Sequence, residues 1–353
     1  MNAIHGPVTI VVPGDLHLTA RERQNYETAR CVVKEVNELI QPDFVQFIGD
    51  NVQDATEDQF RLFGEIAALL DVPHFALVGD HDVCRDPQAT MFRHFIGDPR
   101  GSTVLRGFRF VRLNTLDIPR LGFSDEQLVW LNDEFETAAR QEERVVLFQH
   151  HYPYKVCEDF SGPGIDRWRG LIAAHRPVAI VCGHTHYGQI ANDGNNIAIA
   201  ARSIGDPEGG APGYLVMHLH DSDFAVTYRT VDDEGPVVLI THPRELPLAT
   251  EARHIILGDD ELRVRVWPNA SVAQVTGYLD EGPRFNLLPG TDGYWAAPLD
   301  CTGRPKGEHS IRVEARLKDG KCGEHKINFF LDHTGRFTAV PSAWPRVSTT
   351  AFC

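Results

Sequence analysis

Five apolar runs rich in β-branched residues occur in order along this chain, and each stops at residues that ligate metals. Residues 8–12 lead into Asp15-Leu16-His17, 44–48 into Gly49-Asp50-Asn51, and 74–78 into Gly79-Asp80-His81-Asp82. Residues 145–148 lead into His150-His151, and 178–181 into Gly183-His184-Thr185-His186. Short apolar runs bounded by turn residues are the pattern of buried strands. In open α/β sheets, ligands gather just past the carboxyl ends of the strands. The chain must therefore fold so that five strand ends meet, and their meeting point is predicted to be a metal site and the active site.

The segments between these runs carry helical periodicity. Tyr26, Ala29, Val33, Val36 and Ile40 share one face of a helix over 26–40, and further helices are predicted over 57–70 and 168–174. Ser124-Asp125-Glu126-Gln127 has the S-x-x-Q form of a capping box and opens an amphipathic helix through Leu128, Leu131 and Phe135. Shorter strands then run to Val231, with Asn192-Asp193-Gly194 as a hairpin turn. This alternation predicts an α/β fold with two-layered mixed β-sheets flanked by helices. Asp232-Asp233-Glu234-Gly235-Pro236 is a dense turn signal that divides the chain into domains 1–235 and 236–353. In the second domain Leu262, Val264 and Val266 alternate with Arg263 and Arg265, and Ile311, Val313, Ala315 and Leu317 with Arg312, Glu314 and Arg316. With turns at Asp280-Glu281-Gly282-Pro283 and Lys318-Asp319-Gly320, this period of two predicts an immunoglobulin-like β-sandwich without the Cys…Trp…Cys signature of antibody domains. Trp267 and Trp295 read as its core rather than as a carbohydrate platform.

Composition narrows the classes of function. A chain of 353 residues, 42% hydrophobic, can bury two cores. With 34 Lys and Arg against 49 Asp and Glu, the net charge of −15 and the lack of a basic block argue against a large nucleic-acid partner. No run approaches the roughly 18 apolar residues of a membrane span, and Met1-Asn2-Ala3-Ile4-His5 has no signal-like character. A cytoplasmic protein that does not bind membranes is expected, with a homo-oligomer left open. The seven cysteines, without a CxxC pair, read as free thiols, and Cys182 beside Ile180 and Val181 reads as strand core.

Asp15-x-His17 and His184-x-His186 would each place two side chains on one side of extended backbone. Gly49, Gly79 and Gly183 would permit a sharp exit from the sheet edge. Mixed carboxylate and imidazole donors suit Mn, Fe or Zn better than Mg. In this order the segments resemble the D-x-H, G-D, G-N-H-[DE], H and G-H-x-H motifs of the calcineurin-like metallophosphoesterase superfamily, over about residues 8–231. The resemblance implies two divalent or mixed-valence transition-metal ions. Asp15, His17 and His186 would hold one, Asp80, His150 and His184 the other, and Asp50 would bridge them. It further implies hydrolysis of a small phosphoester by a bridging hydroxide, with His81 donating the proton to the leaving group.

The stretch from Asp80 onward, with Phe123-Ser124-Asp125-Glu126-Gln127 and Trp130-Leu131, looks most like the cyclic-nucleotide and glycerophosphodiester phosphodiesterase branch. A phosphodiesterase is therefore the leading expectation. A phosphomonoesterase or broad phosphatase is the alternative, and a poorly active scaffold the third reading. One departure stands out, Asp80 where the family has Asn. Gly49-Asp50-Asn51-Val52-Gln53 lacks the tyrosine of purple acid phosphatases, so a tyrosinate–iron centre is not expected. His151 and Tyr187 adjoin ligands and are candidate substrate contacts, as is the loop Tyr152-Pro153-Tyr154-Lys155, and His151 has the further readings of orienting a ligand or simply packing. His74, His94, His218, His220 and His242 read as structural.

Overall fold

The computed structural model describes residues 6–118, 120–154, 159–208, 210–220, 223–339 and 341–344. Residues 1–5, Lys155, Cys157 and Cys353 lie outside these, so the readings that rested on them have no counterpart below.

The first layer is a five-stranded sheet. It contains β1 (Val8–Pro13), β2 (Phe44–Phe47) and β3 (His74–Ala76), which run parallel. Between them come α1 (Gln24–Glu35), which ends in a π-helical turn over Val36–Ile40, and α2 (Glu57–Ala67). After α3 (Thr90–Phe95) the chain enters a second sheet through an antiparallel hairpin, β4 (Gly101–Leu105) and β5 (Phe108–Leu113). Next come α4 (Asp125–Arg140), β6 (Arg144–Gln149), α5 (Ile165–His175) and β7 (Ala179–Cys182), with β5, β6 and β7 parallel. A second hairpin, β8 (Gln189–Asn192) and β9 (Ile197–Ala200), turns at the predicted Asp193-Gly194 and adds to β7. The chain then returns to the first sheet as β10 (Gly213–His220) and β11 (Asp223–Thr230), giving the order β11-β10-β1-β2-β3.

The two sheets face each other. Val8, Ile10 and Val12 of β1 meet Val146 and Phe148 of β6 in one apolar layer. On the outer faces, Val11 packs with α1 and α2, while Val145 and Leu147 pack with α4 and α5. Strands covered on both faces must be apolar at every position, which is why these runs do not alternate.

Residues 237–331 are all-β. Val237–His242, Asp260–Trp267, Leu288–Pro289 and Trp295–Leu299 form one antiparallel sheet, and Val272–Leu279, Phe285–Asn286, Gly307–Leu317 and Cys322–Leu331 a second. Val264 and Val266 from one sheet and Ile311, Val313 and Ala315 from the other share a core. Trp295 is buried there, and its Nε1 donates to Asn269 Oδ1 at 2.8 Å. The short strand Ser342–Trp344 returns to pair with β8, so the end of the described chain adds to the second sheet of the α/β part.

Sequence reading missed the β4–β5 hairpin because two arginines interrupt its apolar pattern. Arg109 is paired with Glu134 and Glu143, at 2.6 and 2.7 Å, and Arg112 lies over the Phe75 ring. The capping box formed by half. Ser124 Oγ accepts from Gln127 N, but the Gln127 side chain bonds Asn114 N and O at 2.9 and 2.8 Å, tying α4 to the end of β5. Cys31, Cys84, Cys182, Cys301 and Cys322 are free, with Cys182 fully buried. Among the described residues no helix is long and apolar enough to cross a membrane.

The seam between the α/β part and the all-β part carries aromatic and cationic groups. Trp267 packs with Tyr214 and Leu239, while Arg263 and Arg265 lie 4.3 and 5.0 Å from the Tyr294 ring centre. His218 of β10 is buried, hydrogen-bonded through Nδ1 to Thr9 Oγ1 at 2.9 Å and through Nε2 to the Tyr294 hydroxyl at 2.7 Å. Burial first, and then Arg265, holds its pKa well below 6.5. Below that value the unfolded chain therefore takes up a proton that the folded chain refuses. This group's contribution weakens stability as pH falls, by up to about 1.4 kcal/mol per pH unit. Urea unfolding at pH 7 and pH 5.5 should show a smaller acid loss in His218→Gln than in the wild type. Equal losses would remove His218 from the account.

Candidate metal centre

The ligand candidates stand on the first residues beyond five strands, and the backbone there is strained. Asp15, His17, Asp50, His184 and His186 have φ of 48, 47, 49, 69 and 60°. Non-glycine residues rarely adopt such left-handed conformations, and each costs on the order of 1 kcal/mol or more. The two D/H-x-H pairs are thus not on extended backbone as the spacing suggested. Each ligand is turned individually off the sheet edge. His17 N donates to Asp50 O at 2.9 Å and Gly205 N to Asp15 O at 3.0 Å, which holds these turns in place.

Two glycines make the convergence sterically possible. Gly49 has φ of 101°, and a Cβ there would sit 2.3 Å from His150 Nδ1. A Cβ on Gly79 would sit 2.2 Å from Asp50 Oδ1. Gly79 serves here for room rather than for the turn, because its φ lies outside the left-handed region.

All seven predicted ligands are brought together in two groups that share Asp50. Donor atoms of Asp15, His17, Asp50 and His186 lie within 4.8 Å of one another, and so do those of Asp50, Asp80, His150 and His184. The donor chemistry fits a cation in each. Asp15 Oδ2 is buried with no partner, and His17 Nε2 and His186 Nε2 face each other at 3.1 Å. His150 Nδ1 donates to Ile48 O at 2.8 Å, leaving Nε2 to face Asp80 Oδ1 at 3.1 Å and Asp50 Oδ2 at 3.4 Å. With the ring proton on Nδ1, that is a lone pair opposed to two carboxylate oxygens, an arrangement stable only with positive charge between them. His184 Nδ1 adds another such contact to Asp80 Oδ1 at 3.1 Å.

The electrostatics agree. Burial raises the Asp15 carboxyl to about 6, against the pull of His150, and burial lowers His17 to about 4. Burial would also raise Asp50 and Asp80, but the facing imidazoles, His150 first, hold both below the ordinary carboxylate range. His150 shows the converse. Burial opposes its charge, and Asp50 raises it well above 6.5.

His81 differs from these ligands. Its ring is about one third exposed, and Nδ1 lies 2.9 Å from Gln53 O. Burial lowers its pKa, but Asp50, the Gln53 carbonyl and Asp80 together leave it raised. Its Nε2 faces the site, 3.9 Å from Asp80 Oδ2.

Several supporting residues escaped sequence reading. Asp82 is fully buried and accepts from Asn51 Nδ2 at 2.9 Å, Val52 N at 3.0 Å and Gly79 N at 2.9 Å, binding the loop after β2 to the loop after β3. Burial and then Asp50 push its pKa up to about 7 despite these bonds. Its place in Gly79-Asp80-His81-Asp82 was the available signal. Ser203 Oγ donates to Asp15 O at 2.9 Å and Asn25 Nδ2 to His17 O at 2.9 Å, links between distant segments that no local pattern encodes. Asp206 Oδ2 approaches His186 Nδ1 at 4.0 Å.

His151, expected at the substrate, is instead buried behind the ligands. It is hydrogen-bonded through Nδ1 to Thr115 Oγ1 at 2.7 Å, and its ring centre is 4.3 Å from that of His184, so it positions ligands. Tyr187 is half-buried beside His186. Tyr152 is buried in the core, whereas Tyr154 is partly exposed.

Comparison with known proteins places these residues in a wider context. The profile of the calcineurin-like phosphoesterases matches residues 8–188. A probable glycerophosphodiester phosphodiesterase, GpdQ, of Arcobacter nitrofigilis is 27% identical over 197 residues, covering 50% of this chain and 71% of that protein. Tartrate-resistant acid phosphatase type 5 of Rattus norvegicus is 28% identical over 283 residues, covering 65% of this chain and 83% of the relative. Among solved structures, the purple acid phosphatase PPD1 of yellow lupin superposes with a TM-score of 0.51 at 15% identity, covering 66% of this chain and 53% of that one. That likeness concerns the fold alone. The profile match takes in just over half of the chain and all five ligand-bearing segments up to His186, so this protein belongs to the calcineurin-like phosphoesterase family.

Proposed function

We propose that the protein is a two-metal phosphodiesterase, and the observation that carries this reading is Asp50, shared by two complete donor groups. Asp15, His17 and His186 would complete one ion's set, and Asp80, His150 and His184 the other. When bound, a pair of divalent ions lowers the pKa of water and polarises phosphoryl oxygens. Preference for a diester rests on charge. Asp15, Asp50 and Asp80 bring three negative charges against the four positive charges of two divalent ions, which leaves little to neutralise the second charge of a monoester. The names of the relatives support both ester classes, so this charge count is the deciding argument. His81, anchored at Nδ1 on Gln53 O, would release the Nε2 proton to the leaving alkoxide. Tyr187 would line the mouth. We read the all-β part, 236 onward, as an immunoglobulin-like sandwich that braces the catalytic domain, and the free thiols favour a cytoplasmic setting.

Purified protein should carry about two transition-metal ions per chain. Chelation should abolish phosphodiester hydrolysis, and Mn, Co or Zn should restore it. Asp50→Ala should lose both ions and nearly all activity, and a metal-free preparation with full activity would refute the mechanism.

Asp80→Asn removes one negative charge. The ratio of p-nitrophenyl phosphate to bis(p-nitrophenyl) phosphate turnover should then rise about tenfold, a barrier difference of about 1.4 kcal/mol. An unchanged ratio would remove the charge argument for diesters.

His81→Ala should keep its metals and lose about 10² to 10⁴ in rate on alkyl phosphodiesters. A nitrophenyl ester needs little protonation, so its loss should be much smaller. Equal losses would make His81 a phosphate-positioning group instead.

A further inference from the structure

Arg112 is a buried cation without a counter-charge. It lies in β5 with 8% exposure, and burial alone pulls its pKa down to about 10. Its guanidinium donates from Nη2 to Thr103 Oγ1 at 2.9 Å and sits 4.2 Å from the Phe75 ring centre. Nη1 is buried with no partner, and no carboxylate among the described residues pairs with this side chain. Neighbouring Arg109, on the same strand, is satisfied by two glutamates. A guanidinium remains charged in a protein, and a buried charge is costly unless paired. The Phe75 face offsets only part of that cost.

Arg112 lines a cavity of about 500 Å³ where the edges of the two sheets meet α2 and α3. Phe63, Phe75, Phe95 and Ile96 line the same space. The charged groups on the rim are otherwise engaged. Asp98 turns to Arg93 at 3.7 Å, and Arg100 bonds Glu126 at 2.6 Å. His74 is also there, and burial lowers its pKa, leaving the ring neutral near pH 7. Gly64 of α2 lines the same space, and a Cβ on it would meet nothing within 4 Å.

We propose that this cavity is an effector site for a small organic carboxylate whose acidic group pairs with Arg112 and whose apolar body lies against Phe63, Phe75 and Phe95. An apolar pocket with one convergent cation suits a monoanion with a flat body. Both walls continue into the metal centre. Phe75 in β3 leads to Asp80 and His81, and Arg112 leads to Thr115, whose hydroxyl is hydrogen-bonded to His151. An occupant that shifts either strand reaches the ligands through these segments.

Benzoate is the probe. Calorimetry on the metal-loaded protein should show one saturable site per chain, weakened at least tenfold by Arg112→Met and by Gly64→Phe, which fills the cavity while leaving Arg112 in place. Acetate, which has the charge without the body, should bind more weakly than benzoate. Benzoate should alter turnover of bis(p-nitrophenyl) phosphate in the wild type and leave both variants unaffected. No saturable binding overturns the site, and equal binding in wild type and both variants assigns benzoate to the metals instead. Binding without a change in turnover overturns the effector role. If Arg112→Met does not fold, Gly64→Phe carries the test. The calorimetry holds whether or not the phosphodiesterase reading does.

Discussion

Positive charge between the ligand groups is the condition on which this architecture depends. Asp15 and Asp50 are buried almost completely, His150 entirely, and Asp80 reaches in between His150 and His184. Carboxylates that close repel each other, and burial strips them of the water that would soften the repulsion. The facing imidazoles relieve the strain only if they are protonated or share a cation with the acids. A pair of divalent ions held by these donors would offset the three carboxylates gathered at one point.

Convergence is expensive in backbone terms, and the surrounding structure meets that cost. Five ligand residues sit at positive φ, a conformation stable only when the neighbours over-determine it. Asp82 supplies much of this through three accepted bonds that join two loops, and Ser203, Asn25 and Thr115 hold further ligand segments. The strands beneath are rigid because both faces are covered, so the loops start from fixed points. Mobility in these loops would blur the donor positions and the relation of His81 to a leaving group.

The all-β part is continuous with this frame rather than appended to it. His218 and Tyr294 join β10 to the all-β part by a buried hydrogen bond, and Trp267 enters the same core as Tyr214. Ser342–Trp344 then pairs with β8, so the described chain ends on the sheet whose β7–β8 loop holds His184 and His186. Strain or unfolding in the sandwich would reach the catalytic sheets through these contacts.

The candidate ligands and their order along the chain were legible in sequence because each signal is local: an apolar run and then a donor, with a glycine between them before Asp15, Asp50, Asp80 and His184. The strands and main helices were legible for the same reason, since burial imposes a short period on residue type. Other features depend on partners far apart in the chain and leave no local trace. Arg109 and Arg112 disguised a hairpin because the groups that take up their charged faces, Glu134, Glu143 and the Phe75 ring, lie outside it. His151 left substrate contact, ligand orientation and packing all open in sequence, because adjacency to His150 is visible there while its burial against Thr115 and His184 is not. Left-handed turns at five ligands, the bridging place of Asp50 between two donor groups, and the unpaired charge of Arg112 arise only when the sheets close on each other. The residue types and their spacing determined which chemistry this chain can support. The packing of the two sheets decided which atoms face the ions, because distance and burial are properties of the assembled fold.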